Sequence, residues 1–190
     1  MDLFTFLINA TMLAWFLAEV VMQWRQYRMG GKAVSTEWRS LGVVAGSIVL
    51  GQVLAVVAGS AASGADYGQG RPALTVAVLV MWSGIALRLW AIHVLGRFFR
   101  GVVHVQADHR VVTAGPYRVL RHPAYAGALV AVFGLGLAFG NPVSLVALLG
   151  CTTVGVVYRI RVEERVLTTA LGEDYASYAA GTSRLVPGLW

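Results

Sequence analysis

Runs of apolar residues divide this chain before any other feature does. From Leu3 to Trp24 the only charge is Glu19, and the run ends at Arg25, Arg28 and Lys32. Ser40 to Ala65 carries no charge, and Pro72 to Gly96 carries only Arg88. His122 to Tyr158 contains no Asp, Glu, Lys or Arg. One straight span takes ~20 residues, so this last stretch holds two. Gly140-Asn141-Pro142 near its middle is a turn signal. The pattern predicts a helical hairpin, roughly 124–140 and 142–158, whose arms sit at the short end of the spanning range. Five spans are expected in all. The fold class is therefore an all-α integral membrane protein, read as one domain over 1–190 with two N-terminal spans in 1–72 and a core in 73–190.

Composition agrees with this class and excludes others. Of 190 residues 57% are hydrophobic and 13% charged, and mean hydropathy is +0.68. Soluble proteins carry roughly 25% charged residues. A disordered chain is excluded, and a soluble domain would lack the polar surface to cover its core. The first run has neither a basic start nor a small-residue cleavage site, so it reads as a span and not as a cleaved leader.

The net charge of +6 takes its meaning from position. Arg25, Arg28, Lys32 and Arg39 follow the first span. Arg97, Arg100, Arg110, Arg118 and Arg121 follow the third, and Arg159, Arg161, Arg165 and Arg184 follow the fifth. The other side holds only Arg71, with Asp2 and Asp66. With five spans all three basic segments share one side, expected to be cytoplasmic, with the N-terminus outside. The charge thus reads as topology, and no nucleic-acid partner is expected. The single Cys151 offers neither a disulfide nor a metal cluster, so no metal is expected. Gly42-x-x-x-Gly46 and Gly136-x-x-x-Gly140 are expected to pack helices closely.

Two segments on the basic side hold most of the candidate chemistry. In the first, Gly115-Pro116 is a turn, and Pro123 suits the first turn of a helix. Arg121 and His122 then flank a helix N-terminus, where free N–H groups attract anions, although such a pair also anchors loops to lipid headgroups. In the second, Arg159 and Glu163 are four apart on one helix face, a spacing that an ordinary salt bridge also explains. Arg161 and Arg165 read as solvated or lipid-facing. Gly172 reads as a helix terminator, after which Tyr175 and Tyr178 start a short amphipathic segment. Glu19 and Arg88 are charges within spans, costly there unless paired. Arg88 is a candidate for lining a substrate cavity, Glu19 for snorkelling to the interface, and an internal charge pair is the plain alternative. His93 and His104 read as interface residues.

Together the segments carry a more specific pattern. Gly115-Pro-Tyr-x3-Arg-His-Pro-x-Tyr-x-Gly127, Arg159-x3-Glu163-Glu164 and Leu171-Gly-Glu-x-Tyr-x2-Tyr178 follow Leu95-Gly-x-Phe-Phe99 in order. Over roughly residues 80–190 the chain resembles the isoprenylcysteine carboxyl methyltransferase family. The resemblance implies that 73–190 is a catalytic core using S-adenosylmethionine, its pocket completed by a C-terminal helical segment at the cytoplasmic face. It implies cofactor contacts from Gln106, His109, Arg110, Val111, Val112, Tyr117, His122, Pro123, Ala124, Tyr125 and Glu163. It makes Arg159 the substrate holder, with Arg159 and Glu163 the catalytic pair; the intramembrane Arg88 stands apart from the resemblance as a second substrate-side candidate. Val111 stands where the family commonly has leucine.

The residue chemistry is compatible with that expectation. A carboxylate pairs with the cofactor's ammonium, a helix N-terminus or His122 with its carboxylate, and tyrosine rings with its adenine or sulfonium. A carboxylate acceptor is already ionised at pH 7 and needs no general base. The acceptor expected from the family is the carboxylate of an isoprenylcysteine-like lipid, entering from the bilayer. Methylation of another lipophilic hydroxyl or thiol is the nearest alternative. An NADPH-dependent membrane reductase and a non-catalytic transport subunit are alternatives of other classes.

Overall fold

The computed structural model describes residues 3–29, 33–67, 70–106 and 108–190. Asp2 and Lys32, two of the charges used for topology, lie outside the described residues, as does the side chain of His104. Six helices follow in order: α1 (Leu3–Met29), α2 (Arg39–Ala61), α3 (Arg71–Leu95), α4 (Pro123–Ala138), α5 (Pro142–Leu171) and α6 (Glu173–Ala180). Four of them, α1, α2, α3 and α5, are long and apolar enough to cross a membrane, and α4 is a shorter apolar helix. At 1.5 Å per residue α4 is about 24 Å long, less than a hydrocarbon core of about 30 Å. The chain is a multi-pass integral membrane protein.

The helix ends follow from local chemistry. Pro72, Pro123 and Pro142 each occupy a first turn, where the missing N–H costs nothing. Asn141 caps α5, its side chain accepting from the N–H groups of Val143 (2.8 Å) and Ser144 (3.2 Å). Its amide donates to Ala62 O at 2.9 Å and Asp66 Oδ1 at 2.7 Å, tying the hairpin turn to the α2–α3 loop. Gly96 and Gly172 end α3 and α5 with φ of 58° and 56°, a conformation that glycine adopts without strain.

The second arm of the expected hairpin does not stop at 158. The spanning pattern ends there, but α5 continues as one helix to Leu171. Hydropathy reports where the membrane ends, while the backbone hydrogen bonds of a helix continue into water. Arg159 and Glu163 therefore stand on a rigid extension of a span.

α3 packs along α4, and α2 along α5, with α4 and α5 closing the bundle. α1 lies at the edge, against α3 and the turn after it. A Cβ at Gly84 would meet the backbone of Gly127 and Ala131, and one at Gly127 would lie 2.6 Å from Arg88 N. Close approach here is by these glycines. The expected Gly42-x-x-x-Gly46 contact is not made: both positions face open space. Spacing of small residues does not say which face a neighbour covers. Gly136 does pack, against Leu145 of the following helix.

One short antiparallel ribbon interrupts the all-α plan. β1 (Ala33–Glu37) pairs with β2 (Val103–Gln106), Glu37 opposite Val103. It joins the α1–α2 connection to the α3–α4 connection, so these two basic segments share one end of the bundle.

Candidate active site

The basic end gathers the turn after α3, the segment 108–118, the start of α4, the outer half of α5 and α6. They enclose a cleft of about 790 Å³, its open mouth included. Of the residues expected to touch the cofactor, His109, Arg110, Val111, Val112, Tyr117, His122, Ala124, Tyr125 and Glu163 border it, as does Arg159. Pro123 and Gln106 do not. Pro123 is the buried first residue of α4. Gln106 is 1% exposed and donates to the Arg97 carbonyl at 2.7 Å, so it braces the strip beside the cleft.

The cleft also takes residues not singled out from sequence as site residues: Leu95, Phe98, Phe99 and Arg100 from the turn, Leu167 and Leu171 from α5, and Tyr175 and Tyr178 from α6. The spacing of Glu163, Leu167 and Leu171 places them on one helix face, a signal that was available.

The two neighbouring glutamates of α5 differ sharply. Glu164 is ion-paired with Arg184 (2.9 Å) and Arg121 (3.3 Å), and His122 Nε2 lies 3.4 Å from it. This cluster fastens the C-terminal segment to the start of α4, together with Arg121 N–H to Ser183 O at 2.8 Å and His122 N–H to Arg184 O at 3.1 Å. Glu163 has no ion pair among the described residues. It accepts one hydrogen bond, from the Tyr125 hydroxyl at 2.8 Å. That hydroxyl in turn accepts from Arg159 Nε at 2.6 Å. Arg159 is 4% exposed and also donates through Nη1 to Ser40 Oγ (3.2 Å) and through Nη2 to Gly101 O (2.8 Å).

The tyrosines of the cleft are neutral. Burial, then the nearby Glu163 charge, pushes the Tyr117 phenol far up. Burial does the same to Tyr175, and it raises Tyr178 to about 12. The Tyr178 hydroxyl donates to Tyr117 O at 2.8 Å, closing α6 over the turn at 115–118. The Tyr175 hydroxyl is buried without a hydrogen-bond partner among the described residues. No side chain caps the first turn of α4. Among the described residues the cleft thus offers an unpaired carboxylate, the Ala124 N–H at the start of α4, tyrosine rings and an orphan hydroxyl. These suit an amino acid-bearing, aromatic, cationic ligand, so the donor set fits S-adenosylmethionine.

A second, larger cavity of about 2390 Å³, open to its surroundings, lies among α1 to α5. Its lining is mostly apolar, including Trp15, Phe16, Leu41, Ile48, Val132 and Leu148. The two intramembrane charges meet in its wall. Arg88 pairs with Glu19 through Nε and through Nη2 (3.0 Å), and donates to Ala124 O at 3.1 Å; Trp15 Nε1 donates to Glu19 at 3.0 Å. Glu19 therefore does not snorkel. The two cavities share one partition: Phe99, Arg100, Val102, Tyr125 and Arg159 border both.

Comparison with known proteins accords with this architecture. The chain is 33% identical over 106 residues to protein-S-isoprenylcysteine O-methyltransferase B of Arabidopsis thaliana, covering 55% of this chain and 54% of that protein. It is 33% identical over 119 residues to a cobalt-zinc-cadmium resistance protein of Cupriavidus metallidurans, covering 61% and 50%. The chain spans about half the length of the curated relatives it matches. The solved structure of the eukaryotic intramembrane Ras methyltransferase, isoprenylcysteine carboxyl methyltransferase, superposes with a TM-score of 0.55 at 26% identity, over 75% of this chain and 51% of that one. The family model for phospholipid methyltransferases matches residues 72–174, just over half of the sequence. With that match across α3, the cleft segments and α5, the chain belongs to the phospholipid methyltransferase family.

Proposed function

We propose that this chain is an S-adenosylmethionine-dependent membrane methyltransferase whose acceptor is a lipophilic molecule, best represented by the carboxylate of an isoprenylcysteine-like lipid. One observation carries the reading: a polar, ligand-suited cleft and an apolar intramembrane cavity meet at a partition containing Tyr125 and Arg159. Such a partition lets a water-soluble cofactor and a bilayer-borne acceptor approach one point from different phases. The relatives named for isoprenylcysteine methylation support the acceptor class.

S-adenosylmethionine, when bound, would supply an electrophilic methyl group for transfer to the acceptor oxygen, its sulfur leaving as the neutral thioether. Glu163 holds the cofactor's ammonium, being the site carboxylate without a cation of its own. The Ala124 N–H at the start of α4, beside His122, would receive its carboxylate. Tyr117 and Tyr125 offer ring faces, and the 109–112 segment with Ala124 completes the wall. Arg159, permanently charged, orients the acceptor anion through its remaining N–H groups. Gln106 and Pro123 shape the cleft from behind. Arg88, neutralised by Glu19, lines the acceptor cavity. No general base is required for a carboxylate, so positioning supplies the rate. Residues 73–190 form the catalytic core, and the N-terminal spans complete the acceptor cavity. The basic end faces the cytoplasm, and the N-terminus lies outside.

The test is transfer of isotope-labelled methyl from S-adenosylmethionine by purified protein in lipid nanodiscs, to a panel of lipophilic carboxylates, phenols and thiols. Label in an S-prenyl cysteine ester is expected. No label in any acceptor, or NADPH oxidation instead, would sink the reading.

A further inference from the structure

Arg159 has few donors to spare. Three of its five N–H bonds are committed to Tyr125, Ser40 and Gly101, and the side chain is 4% exposed. A second guanidinium stands in the same partition. Arg100 borders both cavities. Its Nε is buried without a hydrogen-bond partner, and it has no ion pair among the described residues. Four other arginines around the site are paired: Arg88 with Glu19, Arg97 with Asp108, and Arg121 and Arg184 with Glu164; Arg110, without an ion pair among the described residues, is exposed and borders the cleft but not the second cavity. Arg100 is also held in place, its guanidinium carbon 5.1 Å from the centre of the Tyr27 ring at the end of α1.

We propose that Arg100 is a specificity-determining residue that reads the negative charge of the acceptor alongside Arg159. This rests on the methyltransferase reading and narrows its acceptor to an amphiphile with an apolar tail and an anionic head. A partly buried cation with an unmet donor gains most from a ligand that supplies both countercharge and acceptor lone pairs. A carboxylate does so at two oxygens, whereas a neutral phenol or thiol offers a weaker acceptor and no countercharge. Sites built around such a donor reject the analogue lacking its partner far more strongly than apolar pockets reject a changed tail. Arg100 thus divides carboxylates from neutral acceptors, while the cavity below accepts any tail that fits.

The experiment compares equilibrium binding of an N-acyl S-prenyl cysteine and its carboxamide to wild type, Arg100→Gln and Arg100→Lys in nanodiscs. S-adenosylhomocysteine binding serves as the check on folding. The wild type is expected to prefer the acid at least about tenfold. Arg100→Gln is expected to reduce that preference to within about threefold by weakening the acid alone, and Arg100→Lys to keep part of it. Equal weakening of acid and amide, or an unchanged preference, overturns the proposal. If Arg100→Gln does not bind S-adenosylhomocysteine, Arg100→Lys decides: a reduced but real preference supports the proposal, and a full one overturns it. Methyl transfer by the wild type scores the underlying reading separately. An acid preference that Arg100 controls, without any transfer, would leave an anion site in a protein that is not this enzyme.

Discussion

Arg159 and Glu163, one turn apart on α5, are joined through the Tyr125 hydroxyl, which accepts from Arg159 Nε at 2.6 Å and donates to Glu163 at 2.8 Å. The i,i+4 spacing suggested a direct salt bridge. The bridge through tyrosine leaves most of the glutamate's acceptor capacity free and fixes the arginine at the boundary between the two cavities.

Removing that hydroxyl separates its two neighbours. Tyr125→Phe keeps the ring but leaves a buried guanidinium and a carboxylate each short of one partner, a loss of about 1–3 kcal/mol. Expected is a roughly 10- to 100-fold fall in kcat/KM for the acceptor, with S-adenosylhomocysteine affinity changed less than about fivefold. Steady-state kinetics with a parallel binding titration measure both. Retention of full kcat/KM would deny the hydroxyl a positioning role.

Arg159→Ala and Glu163→Ala should divide by substrate. The first abolishes methyl transfer while S-adenosylhomocysteine binding largely survives. It also lowers thermal stability, because contacts to Ser40 and Gly101 go with it. The second weakens cofactor binding. Isothermal titration is the measurement, and equal losses in both variants would refute the division of roles.

The Glu19–Arg88 pair predicts a non-additive pattern. Glu19→Leu strands a cation within the bundle and should cost about 3–5 kcal/mol, whereas adding Arg88→Met removes both charges and should restore much of it. Thermal unfolding of the two singles and the double forms the cycle. Additive losses would show that the charges do not interact.

Glycine contacts give a paired control. Gly127→Ala puts a Cβ 2.6 Å from Arg88 N and should destabilise by about 1–3 kcal/mol, since backbone cannot move aside cheaply. Gly42→Ala has open space and should be neutral or slightly stabilising. Unfolding midpoints in one detergent compare them directly.

Tyr178 sets an alkaline limit on the C-terminal cover. Its pKa is raised to about 12 by burial, so the neutral form is favoured in the folded state. Its contribution is complete below the ordinary phenol value of about 10 and is lost as pH rises through about 12. S-adenosylhomocysteine affinity should therefore fall across that window in the wild type. Tyr178→Phe, which already lacks the bonds to Tyr117 and Leu120, should start weaker and show less of the fall.

Much of the fold was legible because its signals are local. A proline in a first turn, Asn141 as a cap and glycines at Gly96 and Gly172 act on the backbone next to them. The span pattern likewise needs only the polarity of successive residues. The candidate cleft was legible through the order of its motifs, and most residues carried over by position do border it. What local signals missed depends on neighbours distant in sequence. The β1–β2 ribbon pairs segments on either side of two spans. Gln106 turned its side chain to Arg97. Gly84 and Gly127 made the close approach that Gly42 and Gly46 did not.

The sequence by itself determined that this is a multi-pass membrane chain, where its helices begin and most of them end, and that its basic segments accompany the motifs. Transfer free energy and backbone chemistry are properties of each residue and its near neighbours, so no partner had to be known. Only the tertiary structure decided which charges are neutralised. Glu163 and Glu164 are adjacent and chemically identical, yet Glu164 is surrounded by Arg121, His122 and Arg184, while among the described residues Glu163 holds only a tyrosine hydroxyl. Arg88 and Arg100 carry the same guanidinium, and among the described residues one has a carboxylate where the other has an unmet donor. Coulomb and hydrogen-bond energies depend on distances of a few ångströms between groups far apart in the chain, and packing alone sets those distances.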